Sequence, residues 1–247
     1  MRAMVLAAGF GKRLRPITLT RPKPLVEVAG RTLLDRTLDQ LGRGGVNHAV
    51  VNIHYLGEQI MAHAAIADHP VYMEISDERE KVLETGGGIV KALPKLGQAP
   101  FVAINADTFW VEKAGIEPTV TKMAKTFDAQ RMDMLLLVCS PEQAIGHSGG
   151  LDFIIDRDGR LSRADKAKSG YIYAGAAIIN PAIFKKAEAV SHSLNRYFDA
   201  AKKKGRLFGQ ALENAYWYTV STPDSLKAVE AHLRDHGDMA PLSRNES

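Results

Sequence analysis

Apolar residues recur along the chain in short runs at 2–7 (RAMVLA), 48–53 (HAVVNI), 71–76 (VYMEIS), 101–106 (FVAINA), 134–139 (MLLLVC), 151–156 (LDFIID) and 172–180 (IYAGAAIIN). Runs of this length, rich in β-branched and aliphatic residues, predict strands. Between the earlier ones lie stretches with helical spacing, LLDRTLDQLGRGG from Leu33, GEQIMAHAAIA from Gly57 and GGIVKALPKLG from Gly87. Strand and helix therefore alternate through the first half, which predicts an α/β chain with a mainly parallel sheet covered on both faces. The second half changes character. Asp158-Gly159 inside IIDRDGRLSR predicts a hairpin, and helices are expected at 180–190 (NPAIFKKAEAV), at 194–205 and at 222–237. The last has Thr222 as N-cap, Pro223 at its first position and Gly237 past its end. One domain over 1–237 with a lobe from the second half is expected, followed by a frayed polar tail, 238–247.

Composition narrows the classes. Of 247 residues, 45% are apolar and 24% charged, as in an ordinary globular protein. No run approaches the roughly 18 apolar residues of a membrane helix. The N-terminus enters a strand directly without a secretory pattern, so a cytoplasmic address is expected. Cys139 lies inside an apolar strand and reads as core. The net charge of +4 comes with only 7% aromatics, whereas a nucleic-acid surface interleaves basic and stacking residues. Small phosphorylated ligands fit better than nucleic acid.

Candidate chemistry begins where the first strand ends, in LAAGFGKRLRPITLTRPKPL (6–25). The dinucleotide fingerprint needs a third glycine where Leu14 stands, and a Walker loop needs Ser or Thr where Arg13 stands. Both are excluded. What remains is a glycine turn whose backbone N–H groups can face phosphates, with Arg13 and Lys23 adding positive charge. No triad elbow, reactive cysteine setting or zinc spacing accompanies it, and His232 and His236, four apart, read as one face of a helix. Asp107 after FVAIN stands at the carboxyl end of a strand, where open α/β sheets bind ligands. It reads as a Mg²⁺ ligand or as a turn cap.

The order of positions in 6–25 resembles the signature of the sugar-1-phosphate nucleotidyltransferases, A-A-G-x-G-x-R-[LM]-x-P-x-T followed by P-K-P. The likeness extends through ETGGG (84–88), Asn105-Ala106-Asp107 and Trp217. It implies a Rossmann-like nucleotidyltransferase fold with a small sugar-binding lobe. It also implies attack of a sugar 1-phosphate on the α-phosphorus of a nucleoside triphosphate, with Mg²⁺ as cofactor. Carried over residue by residue, Arg13, Lys23 and Asp107 are catalytic, and Asp107 is the metal ligand. Ala8, Gly9, Gly11, Lys12, Thr85, Gly86, Gly87, Ala103 and Glu78 join Arg13 and Lys23 at the nucleotide, with Glu84 shaping the loop. Asn105, Gly150, Asp152, Tyr173 and Gly175 face the sugar phosphate, and Gly149 adjoins them.

Three positions depart from the family pattern. Thr219 stands where a metal-binding aspartate is usual, Ser221 and Ala106 where glycines are. Within the family, the length, LETGGG and SLNRYFDAA are most similar to short bacterial uridylyltransferases acting on N-acetylmuramate 1-phosphate in cell-wall recycling. Mannose-1-phosphate guanylyltransferase is the next reading, and a nucleotide-sugar binding protein with weakened turnover, suggested by Thr219, is a third.

Overall fold

The computed structural model describes residues 1–242 except 67 and 166. β1 (Arg2–Leu6) leads through a long loop to a small ribbon of β2 (Glu27–Val28) and β3 (Arg31–Thr32). Then follow α1 (Leu33–Arg43), β4 (His48–Ile53), α2 (Gly57–Ile66), β5 (Tyr72–Asp77), α3 (Glu84–Leu96), β6 (Phe101–Asn105), β7 (Thr108–Glu112), α4 (Thr119–Thr126) and β8 (Met134–Cys139). The remainder comprises β9 (Ala144–Ile145), β10 (Phe153–Ile155), β11 (Leu161–Arg163), β12 (Ile172–Ile179), α5 (Asn195–Lys203), β13 (Leu207–Ala211), β14 (Ala215–Thr219) and α6 (Pro223–His236).

Seven strands form the main sheet in the order β13-β8-β12-β6-β1-β4-β5. All its neighbours pair in parallel except β12, which runs against both β6 and β8. The continuous apolar runs of the sequence follow from burial on both faces. In β8, Leu135, Leu137 and Cys139 join one core with Leu34, Leu38 and Met123 from α1 and α4. Met134, Leu136 and Val138 join the other, with Ile89 from α3 and Phe198 from α5. Cys139 is therefore core, and burial pushes its thiol up to about 12, far from a nucleophile's range.

A second sheet, β7-β14-β9, packs beside α6 over its own core of Phe109, Tyr218, Val220 and Val229. β7 comes from the first half, so this region interleaves both halves of the chain. The hairpin stands, β10 against β11, with Gly159 in the turn at φ +85°. The last helix stands too, with the Thr222 side chain accepting from the Ser225 N–H.

Two expectations are corrected. The stretch 180–190 is a single tight turn, Pro181–Phe184, because the chain beyond it leaves to pair with the start of α3. The tail is not frayed over 238–242. Arg36, 1% exposed and stacked 4.6 Å from the Phe109 ring, donates to both oxygens of Asp238 at 2.7 and 2.6 Å. Arg31 donates to the Met239 carbonyl and Arg43 to that of Ala240. Residues 243–247 of the expected tail lie outside the described residues. A buried guanidinium needs its carboxylate, so Asp238→Ala should lower unfolding stability by about 2 kcal/mol. Chemical denaturation measures this, and a loss within error of zero would show the tail to be dispensable.

Candidate active site

Chain order reverses at β1. β4 lies on one side of it and β6 on the other, and open α/β sheets bind ligands in the crevice outside such a switch point. A cavity of about 500 Å³ opens there. It is lined by Ala8, Gly9 and Lys23 of the first loop, Thr85 of α3, and Asn105 and Asp107 at the end of β6. Six residues separated by up to a hundred positions thus converge on one space.

The first loop takes its shape from a glycine and a threonine. Gly11 has φ +61°, and a Cβ there would stand 2.9 Å from Thr18 Cγ2 and 3.1 Å from Lys23 Cβ. Thr18 cinches the loop by donating its hydroxyl to the Gly11 carbonyl at 2.8 Å. The Ala7 N–H is taken by Asn52 Oδ1 at 2.7 Å. Among the described residues, none of the backbone N–H groups of residues 8–13 donates to an internal acceptor. Backbone donors are normally satisfied within the protein or by solvent, and successive free ones form an anion-binding concavity. Lys12, Arg13 and Arg15 are exposed, with no acidic partner among the described residues, while Lys12 lies 5.3 Å over the Phe10 ring.

Lys23 and Asp107 meet in a salt bridge, Nζ to Oδ2 at 2.6 Å, with the lysine side chain mostly buried. The lysine reaches from the loop to the end of β6, so one cation joins the loop to the carboxylate across the cavity. Arg13 does not line the cavity itself; if it reaches a bound phosphate as the resemblance implies, the contact is worth about 1.5–3 kcal/mol, and Arg13→Ala should lower kcat/KM at least tenfold. Unchanged steady-state kinetics would remove Arg13 from the site.

Asn105 lines the cavity beside Gly175, whose absent Cβ would stand 3.2 Å from Asn105 Nδ2 and 2.6 Å from Thr108 Oγ1. Glycine at φ +77° is therefore needed for Asn105 to keep its place. Thr219 is buried and pairs with Thr108, and the Val220 N–H donates to the Asp107 carbonyl at 3.3 Å. The usual aspartate position is thus beside Asp107, occupied by a hydroxyl. Neither Ser221 nor Ala106 has a positive φ, so both fit without backbone strain where glycines are usual.

Several expected contacts fall elsewhere. Glu78 is 1% exposed and does not reach the ligand space. Its carboxylate accepts from Asn52 Nδ2 at 2.8 Å and from the Leu83 N–H at 3.1 Å, bracing the loop from behind. Ala103 is core. Gly86 and Gly87 do not offer free N–H groups, since both donate to the His192 carbonyl at 2.9 and 3.2 Å. A Cβ on Gly87 would lie 2.1 Å from the Val190 carbonyl oxygen, and one on Gly88 would lie 2.7 Å from Glu78 Oε1. The glycine run makes room for neighbouring protein, while Glu84 and Thr85 at its start line the cavity. Glu84, as expected, shapes this loop: φ is +58° and its carboxylate accepts from Ser191 Oγ. Gly149 and Gly150 are exposed outside the cavity. Asp152 accepts from the Tyr173 N–H at 2.9 Å, and Tyr173 packs on Phe198, its phenol raised by burial and by Asp152.

Three contributors escaped sequence reasoning. Asn52 is a polar residue near the end of an otherwise apolar strand, which is a readable signal. Thr18 closes the signature quoted for 6–25 and Ser193, which lines the cavity from the segment before α5, opens SLNRYFDAA, but neither motif says what its residue does.

Burial raises the Glu78 carboxyl above its ordinary 4.5, with the Asn52 and Leu83 hydrogen bonds opposing. A folded value above the unfolded one means the folded state holds the proton more tightly. This contribution to stability is full below 4.5 and lost as pH rises through the raised value. Glu78→Gln should therefore flatten the pH dependence of the melting temperature upward from that point, as read by calorimetry. A profile parallel to the parent's would contradict it.

Comparison with known proteins shows the family. A sequence model of the nucleotidyl transferase family matches residues 2–145. The chain is 38% identical over 237 residues to the N-acetylmuramate alpha-1-phosphate uridylyltransferase of Caulobacter vibrioides, covering 94% of this chain and 97% of that one. It is 33% identical over 236 residues to the protein of the same name from Neisseria meningitidis, with the same coverage of both chains. Its fold is similar to a solved UDP-glucose pyrophosphorylase complexed with UDP-glucose, at a TM-score of 0.74, 15% identity, and 95% and 99% coverage. With more than half the chain matched by the family and its loop, cavity and sheet end arranged as described, the protein belongs to the nucleotidyl transferase family.

Proposed function

We propose that the protein transfers a uridylyl group from UTP to N-acetylmuramate 1-phosphate, giving the nucleotide sugar and pyrophosphate. The observation that carries the reaction class is the row of N–H groups at 8–13 that, among the described residues, donate to no internal acceptor, with Ala8 and Gly9 lining the same cavity as the Lys23–Asp107 pair. The choice of base and sugar is supported by the two uridylyltransferases that the chain resembles along almost its whole length.

The nucleophile is an anionic phosphate oxygen, so no strong general base is required. Catalysis reduces to bringing two polyanions together and neutralising the charge that develops. The loop amides and Arg13 hold the triphosphate, and Lys23 supplies a mobile charge as pyrophosphate departs. Asn105 donates to the sugar phosphate from the floor of the cavity. The hard oxygen donor of Asp107, facing the cavity and accompanied by no nitrogen or sulfur ligand there, fits Mg²⁺. Bound with the nucleotide, Mg²⁺ supplies charge neutralisation and alignment of the phosphates. A cytoplasmic role in cell-wall recycling accords with such a substrate, and no described helix is long and apolar enough to cross a membrane.

Specificity constants for UTP and GTP, each with N-acetylmuramate, mannose and glucose 1-phosphates, test the substrate reading. UTP with N-acetylmuramate 1-phosphate should be preferred by at least about 100-fold over GTP with mannose 1-phosphate, equivalent to about 2.7 kcal/mol. The reverse preference would make the protein a guanylyltransferase, and absence of turnover with any pair would leave a binding protein.

A further inference from the structure

Among the described residues, one group of three metal-ligating side chains lies apart from the cavity. Asp35 stands in the first turn of α1, where its N–H is capped by Thr32 Oγ1 at 3.0 Å. His63 comes from α2, and His69 from the connection between α2 and β5. Asp35 Oδ1 is 2.7 Å from His63 Nε2 and 3.6 Å from His69 Nδ1, and the three ligating atoms all lie within 4.8 Å of one another. The geometry points to a divalent transition-metal site, of the Zn²⁺ class, formed by Asp35, His63 and His69.

Zinc bonds of about 2.0–2.2 Å in tetrahedral array place neighbouring ligand atoms about 3.3 Å apart. The two measured separations bracket that spacing, so small side-chain shifts suffice. His69 supplies an independent observation. Its side chain is 8% exposed, its Nδ1 is beyond hydrogen-bond length from Asp35, and its Nε2 is buried with no partner among the described residues. A buried imidazole is usually satisfied by hydrogen bonds or by a metal. A cation shared with Asp35 and His63 would hold the His69 ring more firmly than its 3.6 Å approach to Asp35 and its bond to the His63 backbone do. Two imidazoles and one carboxylate favour zinc, nickel or cobalt over magnesium, which takes oxygen. Water completes the fourth position. The ion would pin the α2–β5 connection to α1 and take no part in the transfer reaction.

The test uses full-length protein stripped by chelator and kept in excess Mg²⁺, so that oxygen sites hold the harder ion. Zn²⁺ is titrated by calorimetry, and Co²⁺ by its visible absorption. One equivalent should bind and raise the melting temperature. His63→Ala and His69→Ala should each weaken binding at least about 100-fold, and Mg²⁺-supported turnover should stay at the parental rate. Asp35→Asn, which keeps the shape of the side chain, should also weaken binding with the fold intact by circular dichroism. His236→Ala should change nothing, because the stacked His232–His236 pair is the competing nitrogen site. Failure of the parent protein to bind Zn²⁺, equal binding by Asp35→Asn and His63→Ala, or loss on His236→Ala would each overturn the assignment.

Discussion

Asp107→Ala is expected to lower kcat by at least about 100-fold, some 2.7 kcal/mol, while the melting temperature stays close to the parent's. Asp107 lines the cavity at the carboxyl end of β6 and touches Lys23 at 2.6 Å. Removing it deletes the carboxylate beside Lys23 at the end of β6 and frees Lys23 to adopt other positions. Stability is spared because the carboxylate is partly solvated and helps no core, and partly exposed ion pairs contribute about 1 kcal/mol or less. Lys23→Ala should also cost at least tenfold, by loss of a charge-assisted contact. The double variant should be little worse than Asp107→Ala, since residues acting as a unit are not additive. Additive losses would show that the pair is a bystander ion pair. Normal turnover in Asp107→Ala would displace the site altogether.

Gly87→Ala should lower unfolding stability by about 3 kcal/mol, although it adds a single methyl group. Its Cβ would sit 2.1 Å from the Val190 carbonyl oxygen, a backbone atom that cannot swing aside. Overpacking costs about 1–3 kcal/mol, and displacing the segment also strains the bonds from Gly86 and Gly87 to His192 and from Leu194 to Thr85. Because Ser193 lines the cavity from that segment, substrate binding should weaken as well. Gly9→Ala is the control, with nothing within 4 Å of its added Cβ and an expected change under about 0.5 kcal/mol. Equal stability of the two variants in denaturant titration would refute the packing account of the glycine run.

That glycine run also marks the limit of what could be read from the chain. Gly9, Gly11 and the cations after them were legible because strand, turn and charge are contiguous, and the reason lies within twenty residues. The partners of Gly86 and Gly87 come from 188–192, a hundred residues onward, and no local pattern announces them. The same segment bears on the missing helix at 180–190: beyond Phe184 the chain makes only local turns, such as Ala187 N–H to the Phe184 carbonyl, before His192 bonds Leu83, Gly86 and Gly87. Glu78 was a candidate for the base edge by resemblance alone, and in the fold Asn52 and the Leu83 amide satisfy its carboxylate internally. The parallel sheet was visible in its apolar runs. β7 and β14 were not read as strands, being short and set between polar residues, though they complete the second sheet. The tail looked frayed by composition, and only the burial of Arg36 shows why Asp238 is held.

The central claim is transfer of the α-phosphoryl nucleotide with pyrophosphate leaving, and phosphorus NMR on UTP mixed with N-acetylmuramate 1-phosphate and Mg²⁺ follows every species directly. The account predicts equal growth of a diphosphate-linked nucleotide sugar and of pyrophosphate, in a reaction that runs backward when pyrophosphate is added. Release of orthophosphate, or consumption of UTP without a new diphosphate linkage, would contradict it.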